Sequence, residues 1–195
     1  MSDALNDLLV RIRACRACER TLPLGPRPVV VADARARILV AGQAPGKRVH
    51  ESGIAWNDAS GKRLREWLGL SPEQFYDPAL VSLVPMGFCY PGTGPAGDNP
   101  PPPDCRQLWH GLLLTHLPNL RLKIIIGHYA QAYHLAASAK PTLTETVAAW
   151  RHYAPSLYPV PHPSPRNQMW LRRNPWFMSE LVPDMQAAVL AALSG

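Results

Sequence analysis

Four short apolar runs constrain this 195-residue chain more than any other feature: Ile38-Leu39-Val40-Ala41, Ala79 to Val84, Leu122 to Ile126 and Leu157 to Val160. Each has the length of a buried strand rather than of a helix. Between them the apolar spacing changes to that of helices. Leu5, Leu8, Leu9 and Ile12 share one helical face behind Ser2 or Asp3 as a cap, and Leu64, Trp67 and Leu68 share another, closed by Gly69. Cys105 opens a helix with Leu108, Leu112 and Leu113, another runs from Gly127 to about Ala139, and a last one from Pro175 carries Phe177, Leu181, Met185, Val189 and Leu193 around a break at Pro183. Strands alternating with helices imply a mostly parallel sheet covered on both faces. The chain shows no internal repeat and no boundary, so residues 1–195 are expected to form one α/β domain.

Two of the strands open into loops suited to a ligand. The first runs into Gly42-Gln43-Ala44-Pro45-Gly46, and the last into His162-Pro163-Ser164-Pro165-Arg166-Asn167. Sheets of this class place ligands at such strand ends. A third stretch, Pro85 to Pro103, holds seven of the chain's 22 prolines among nineteen residues, which predicts an ordered loop rather than a linker. The chain carries a formal charge of +6, without the long apolar stretch of a membrane span, and its polar start does not read as a signal peptide. A cytoplasmic monomer without membrane attachment is expected. In a reducing setting its four cysteines are better suited to a metal than to disulfides.

Cys15 and Cys18 form a C-x2-C pair directly behind the first helix, and Cys89 and Cys105 follow with fifteen residues between them. Four thiolates suit tetrahedral zinc or an iron-sulfur cluster. Zinc ribbons usually close with a second short pair, and this wide, proline-stiffened one favours a cubane; buried free cysteines are the alternative.

These features together resemble the uracil-DNA glycosylase superfamily, and within it the iron-sulfur families 4 and 5. The resemblance rests on C-x2-C, a long gap and C-x15-C, on Gly42 to Gly46 after the first strand, and on His162 to Asn167 after the last, all in the family's order. It implies a three-layer α/β/α sandwich on a four-stranded sheet and a [4Fe-4S] cluster on Cys15, Cys18, Cys89 and Cys105. It also implies DNA containing a deaminated base as the partner.

The resemblance also implies roles. Trp56-Asn57-Asp58-Ala59-Ser60-Gly61 is similar to the family 5 stretch with an aromatic residue before Asp-Ala-Ser-Gly, although with one residue fewer between them. Asp58 is then the catalytic carboxylate that orients water, and Trp56 the surface for the flipped base. His162 stabilises the departing base, Ser164 and Asn167 complete its loop, and Arg166 enters the vacated space in the stack. Gln43 occupies a position where family 4 has a carboxylate, so Gly42, Gln43 and Ala44 are expected to contribute backbone contacts. The strand asparagine that reads uracil in the family is missing, with Ser82 as its candidate substitute. No lysine stands in a motif, so a monofunctional hydrolase is expected; the alternative is a cluster-bearing nucleic-acid-binding protein without that activity.

The simpler readings of the same residues are structural. Asp58 precedes a helix and could serve as its cap, and Trp56 could be core. His50 is expected at solvent, His128 and His134 at the surface or in packing, and Trp67, Trp109, Trp150 and Trp176 in the core.

Overall fold

The computed structural model describes residues 3–95 and 97–194. Helix α1, Asp3–Arg13, buries Leu5, Leu8, Leu9 and Ile12, the face set by their spacing; Ser2 lies outside the described residues. Burial of four such side chains stabilises the layer by roughly 1.5–3 kcal/mol each. Strand β1, Ile38–Ala41, is followed by the short helix α2, Lys47–Ser52, and by α3, Ala59–Leu68. Gly69 ends α3 in the left-handed region at φ 67°. The small helix α4, Pro72–Tyr76, carries a capping box between Ser71 and Gln74 and leads into β2, Val81–Leu83.

The proline-rich stretch holds a two-stranded hairpin, β3 (Thr93–Gly94) with β4 (Gly97–Asp98). Beyond it α5, Pro103–Cys105, passes through a π-helical turn, Arg106–His110, into α6, Gly111–Thr115. Strand β5, Leu122–Ile126, leads into α7, Gly127–Leu135, and α8, Leu143–Ala148, with a Thr142–Glu145 capping box, precedes β6, Leu157–Val160. Helix α9, Gln168–Arg173, and a π-helical turn, Phe177–Leu181, lead to α10, Val182–Ser194.

The four-stranded sheet has the order β2-β1-β5-β6 and every pairing is parallel. Alternate residues of β1 face opposite layers. Ile38 and Val40 join Leu64, Trp67, Phe177 and Met185 on one side. Leu39 packs with α1, Phe88 and Leu113, and Ala41 with Ile125 and Ala130, on the other. This is the α/β/α sandwich, and it explains why the strands read as largely apolar runs, with Lys123 the exposed exception. Val31 pairs antiparallel with Leu83, which covers the free edge of β2. Trp67 and Trp150 are in the core as expected, whereas Trp109 and Trp176 are half-buried. His50 is buried rather than solvated, with Nδ1 unpartnered, because α2 turns it back toward Tyr90. No described helix is long and apolar enough to cross a membrane.

Candidate active site

The chain leaves β1 for β2 on one side and later returns to β5 on the other, so the strand order reverses at β1. A cleft of about 560 Å³ opens at the carboxyl ends of these strands, where such a reversal separates the loops. It is lined by Gly42 to Gly46 after β1, Leu83 and Pro85 at the end of β2, Trp56, Asp58 and Ser60 near α3, and His162, Ser164, Arg166 and Asn167 after β6.

The Trp56 ring lies directly over Gly42. A Cβ at Gly42 would stand 2.9 Å from its Cζ2, so glycine is what lets the ring reach this loop. Trp56 itself has φ 56°, a left-handed backbone that stores about 1–3 kcal/mol in a bulky residue. Its carbonyl is held in place by the Tyr76 hydroxyl at 3.3 Å and Arg65 at 3.5 Å, both donating to it. Gly61 seats against the same carbonyl, where a Cβ would come within 1.7 Å. Asp58 is the N-cap of α3, its Oδ1 accepting from the Gly61 amide at 2.8 Å. One oxygen caps the helix, and the residue also lines the cleft.

His162 stands 5.8 Å from the Trp56 ring, tilted by 30°. Its Nδ1 accepts from the Ser164 amide at 3.2 Å, which assigns the proton of the neutral ring to Nε2. Burial holds its pKa below the usual imidazole value, against the raising influence of Asp58 and Asp98. Asn167 donates to the His162 carbonyl at 2.7 Å, the Arg166 amide donates to Ser164 Oγ at 3.2 Å, and Arg63 donates to the Ser164 carbonyl at 3.2 Å. Ser164 and Asn167 thus hold the loop's shape, while exposed Arg166 reaches across to Gly97.

Gln43 does not present its amide to the cleft. Its Nε2 donates to the carbonyls of Asp98 at 3.2 Å and Asn99 at 2.8 Å, which docks the β3-β4 hairpin onto the loop after β1. The backbone amides of Gln43 and Ala44 have no partner among the described residues, whereas the Gly42 and Gln43 carbonyls accept from Met86 and Gly87 at 2.8 and 2.9 Å. Ser82 stands apart from the cleft. It is fully buried in β2 and its Oγ accepts from the Asp33 amide at 3.4 Å, so it does not take the place of the absent asparagine. Two polar residues that sequence reasoning passed over, Thr93 and Asp98, do line the cleft. An exposed Thr-Gly and Gly-Asp pair in a proline-rich loop carries the signature of a turn, and nothing local marks it as a site wall.

The profile of the family described as Uracil DNA glycosylase superfamily matches residues 29–186. The chain belongs to that superfamily. A uracil-DNA glycosylase superfamily member is a glycosylase-type hydrolase with DNA as its substrate, and every cleft residue of this one falls within the matched stretch.

Cys15, Cys18, Cys89 and Cys105 of this superfamily member line one small apolar cavity separate from the cleft, with Phe88, Pro102 and Trp109. Helix α1 delivers the first pair, and α5 delivers Cys105. All four are free thiols. Burial pushes Cys89 up to about 11 and Cys105 up to about 12, although Cys105 accepts from the Phe88 amide at 3.2 Å, and it raises Cys18 as well. Among the described residues no group of three His, Cys, Asp or Glu side chains is gathered closely enough to grip a single metal ion. An all-sulfur donor set around a shared cavity suits a cluster that brings its own bulk and offsets the thiolate charge.

Proposed function

We propose that this superfamily member is a monofunctional DNA glycosylase that hydrolyses the N-glycosidic bond of uracil, or of another deaminated base, in DNA. The observation that carries the reading is His162, neutral with its proton on Nε2, in one cleft with Asp58 and Trp56. The substrate nucleotide leaves the stack to enter such a cleft. Trp56 then offers its face to the base, worth roughly 1–3 kcal/mol in stacking.

As the C1′–N bond breaks, its electron pair leaves with the base and the sugar becomes positive. The Nε2–H of His162 donates to the carbonyl oxygen where that negative charge gathers, and the unpartnered amides of Gln43 and Ala44 stand on the loop beside it. Asp58 has its second oxygen free to orient a water toward C1′ and to accept the proton released when the new C–O bond forms. Arg166, exposed at the rim, fills the vacated space in the stack and meets phosphate.

Cys15, Cys18, Cys89 and Cys105 would hold a [4Fe-4S] cluster, placing the chain in an iron-sulfur branch of the superfamily. Bound there, the group supplies a cross-link that orders the proline-rich loop. Anaerobically reconstituted protein should carry about four irons and absorb broadly in the visible, and Cys89→Ser should lose both; colourless protein with one zinc would refute this assignment. Single-turnover assays on uracil-containing oligonucleotides test the activity. Wild type should leave abasic sites, and His162→Ala should be slower by about 10²- to 10³-fold. Cluster-loaded wild type that releases no deaminated base refutes the glycosylase reading.

A further inference from the structure

Asp98 lines the cleft yet has no part in the steps just described. It pairs with Thr93 across the β3-β4 hairpin, and Thr93 Oγ1 donates to its Oδ1 at 2.9 Å. The hydroxyl of buried Tyr90 meets the same Thr93 oxygen at 2.6 Å. A threonine hydroxyl has one hydrogen, already given to the carboxylate, so Tyr90 donates to Thr93. The relay is neutral throughout. Among the described residues no lysine or arginine forms an ion pair with Asp98. The carboxylate is therefore oriented without being neutralised, and its Oδ2 is left to accept. The hairpin beneath it is fixed by the two Gln43 bonds, by the Asn99 amide donating to Gly92 at 2.8 Å and by the Asn99 side chain donating to Pro91 at 3.2 Å.

Beyond the backbone amides of Gln43 and Ala44, the rest of this wall offers a base no free side-chain donor. The end of β2 contributes Leu83 and Pro85, Ser82 is engaged in the core, and the Gln43 amide hydrogens go to the hairpin carbonyls. What remains is a charged acceptor at Asp98 and no free side-chain donor.

We propose that Asp98 is a specificity-determining residue that accepts the ring N–H of the extruded base, an inference that rests on the glycosylase reading. Deamination changes the ring nitrogen that such a group meets. Cytosine N3 and adenine N1 carry lone pairs, whereas uracil N3 and hypoxanthine N1 carry hydrogens. A carboxylate accepts from the deaminated edge and repels the parent's lone pair, because it has no hydrogen to offer in return. The class read is a base with a ring N–H beside a carbonyl, pyrimidine or purine; the carboxylate alone does not separate uracil from thymine. Its charge also opposes the negative charge that grows on the departing base. Asp98 therefore contributes more in the bound ground state than in the transition state, and its effect belongs to half-saturation and discrimination more than to the maximal rate.

The test compares uracil, N3-methyluracil and cytosine in otherwise identical single-stranded oligonucleotides, under single turnover, with wild type, Asp98→Asn and Thr93→Val. Wild type should prefer uracil over N3-methyluracil by about 10- to 100-fold, a measurement that needs no variant. Asp98→Asn should raise half-saturation for uracil by a similar factor and erase most of that preference, since an amide both donates and accepts. Thr93→Val should move both in the same direction by less, as the charge remains and its orientation is lost. Equal use of uracil and N3-methyluracil by wild type overturns the inference while leaving the glycosylase reading intact. So does an Asp98→Asn variant whose maximal rate falls alike on every base with preference unchanged, which would place Asp98 at the sugar. Wild type that excises no base at all refutes the glycosylase reading and this inference with it.

Discussion

Asp58 caps α3 and lines the cleft, and two substitutions separate the cap from the proposed catalytic role. Asp58→Ser keeps an oxygen that can accept from the Gly61 amide, now 2.8 Å from Oδ1, and removes the carboxylate. Asp58→Ala removes both. Loss of the cap costs about 1 kcal/mol, which lowers Tm by roughly 2–4 °C in a domain of this size. That leaves most of a typical stability of about 5–15 kcal/mol, so unfolding cannot account for a large fall in rate. Loss of the carboxylate should slow base release by about 10²- to 10⁴-fold, equivalent to roughly 3–5 kcal/mol of barrier. Neither substitution changes the protonation of His162 near neutral pH, because Asp58 raises that pKa and its removal leaves the ring still more firmly neutral. The assay is single-turnover uracil excision beside thermal unfolding followed by circular dichroism. Asp58→Ser should melt within about a degree of wild type and excise as slowly as Asp58→Ala. A serine variant that excises within threefold of wild type would reduce Asp58 to a cap, and one that melts as low as alanine would refute the capping argument.

Gly42→Ala places a Cβ 2.9 Å from Trp56 Cζ2, and the ring must shift because its carbonyl is pinned by Tyr76 and Arg65. Excision should fall by about 10²-fold, and by much less in a Trp56→Phe background, where the smaller ring clears the methyl; equal losses in both would refute the contact. Gly87→Ala meets Pro101 Cβ at 2.9 Å, between two stiff segments, and should impair iron retention and excision together, whereas Gly42→Ala leaves iron content unchanged. Burial pushes His110 and His134 down to about 4. The unfolded chain takes up protons on these rings near pH 6.5 while the native state refuses them, so stability is full above that pH and falls as pH drops toward 4, by on the order of 3 kcal/mol for each ring. His134→Leu should flatten that fall, measured by urea unfolding at pH 7.5 and 4.5; an unchanged difference between the two would refute it.

Strands whose neighbours bury both faces were legible to the residue. Ile38–Ala41, Leu122–Ile126 and Leu157–Val160 appear as read. The run from Ala79 to Val84 shortens to Val81–Leu83, because the Ala79 amide is taken by the Asp77 side chain in a turn. Two short helices behind capping boxes, Ser71 with Gln74 and Thr142 with Glu145, went unread in the sequence because they have too few apolar positions for periodicity to register. Helix α2 has no side-chain cap at all, which is why His50 read as a solvated loop residue. Motif order singled out Trp56, Asp58 and His162, and all three line the one cleft. Ser82 was misread for a physical reason: in a strand of three buried residues a hydroxyl turns to the nearest orphan amide, here Asp33, rather than to the cleft. Asp98 was invisible, since what makes it a wall residue is the clamp from Gln43, fifty-five positions away in sequence.

That clamp also explains the concentration of prolines. The segment from Pro85 to Cys105 belongs to both sites: Met86 and Gly87 donate to the loop that carries Gln43, the Phe88 amide donates to Cys105 Sγ, and Asp98 closes the cleft. A flexible chain of this length would lose on the order of 1–2 kcal/mol of backbone entropy per residue on being ordered. Proline reduces that loss by narrowing the unfolded ensemble, without adding a contact. The same segment reaches Gln43, which donates to the Asp98 and Asn99 carbonyls. Glycine appears where that rigid track must pass close to another element, as Gly87 does against Pro101. The thiols and the cleft residues line separate cavities, yet a single proline-rich segment contributes walls to both.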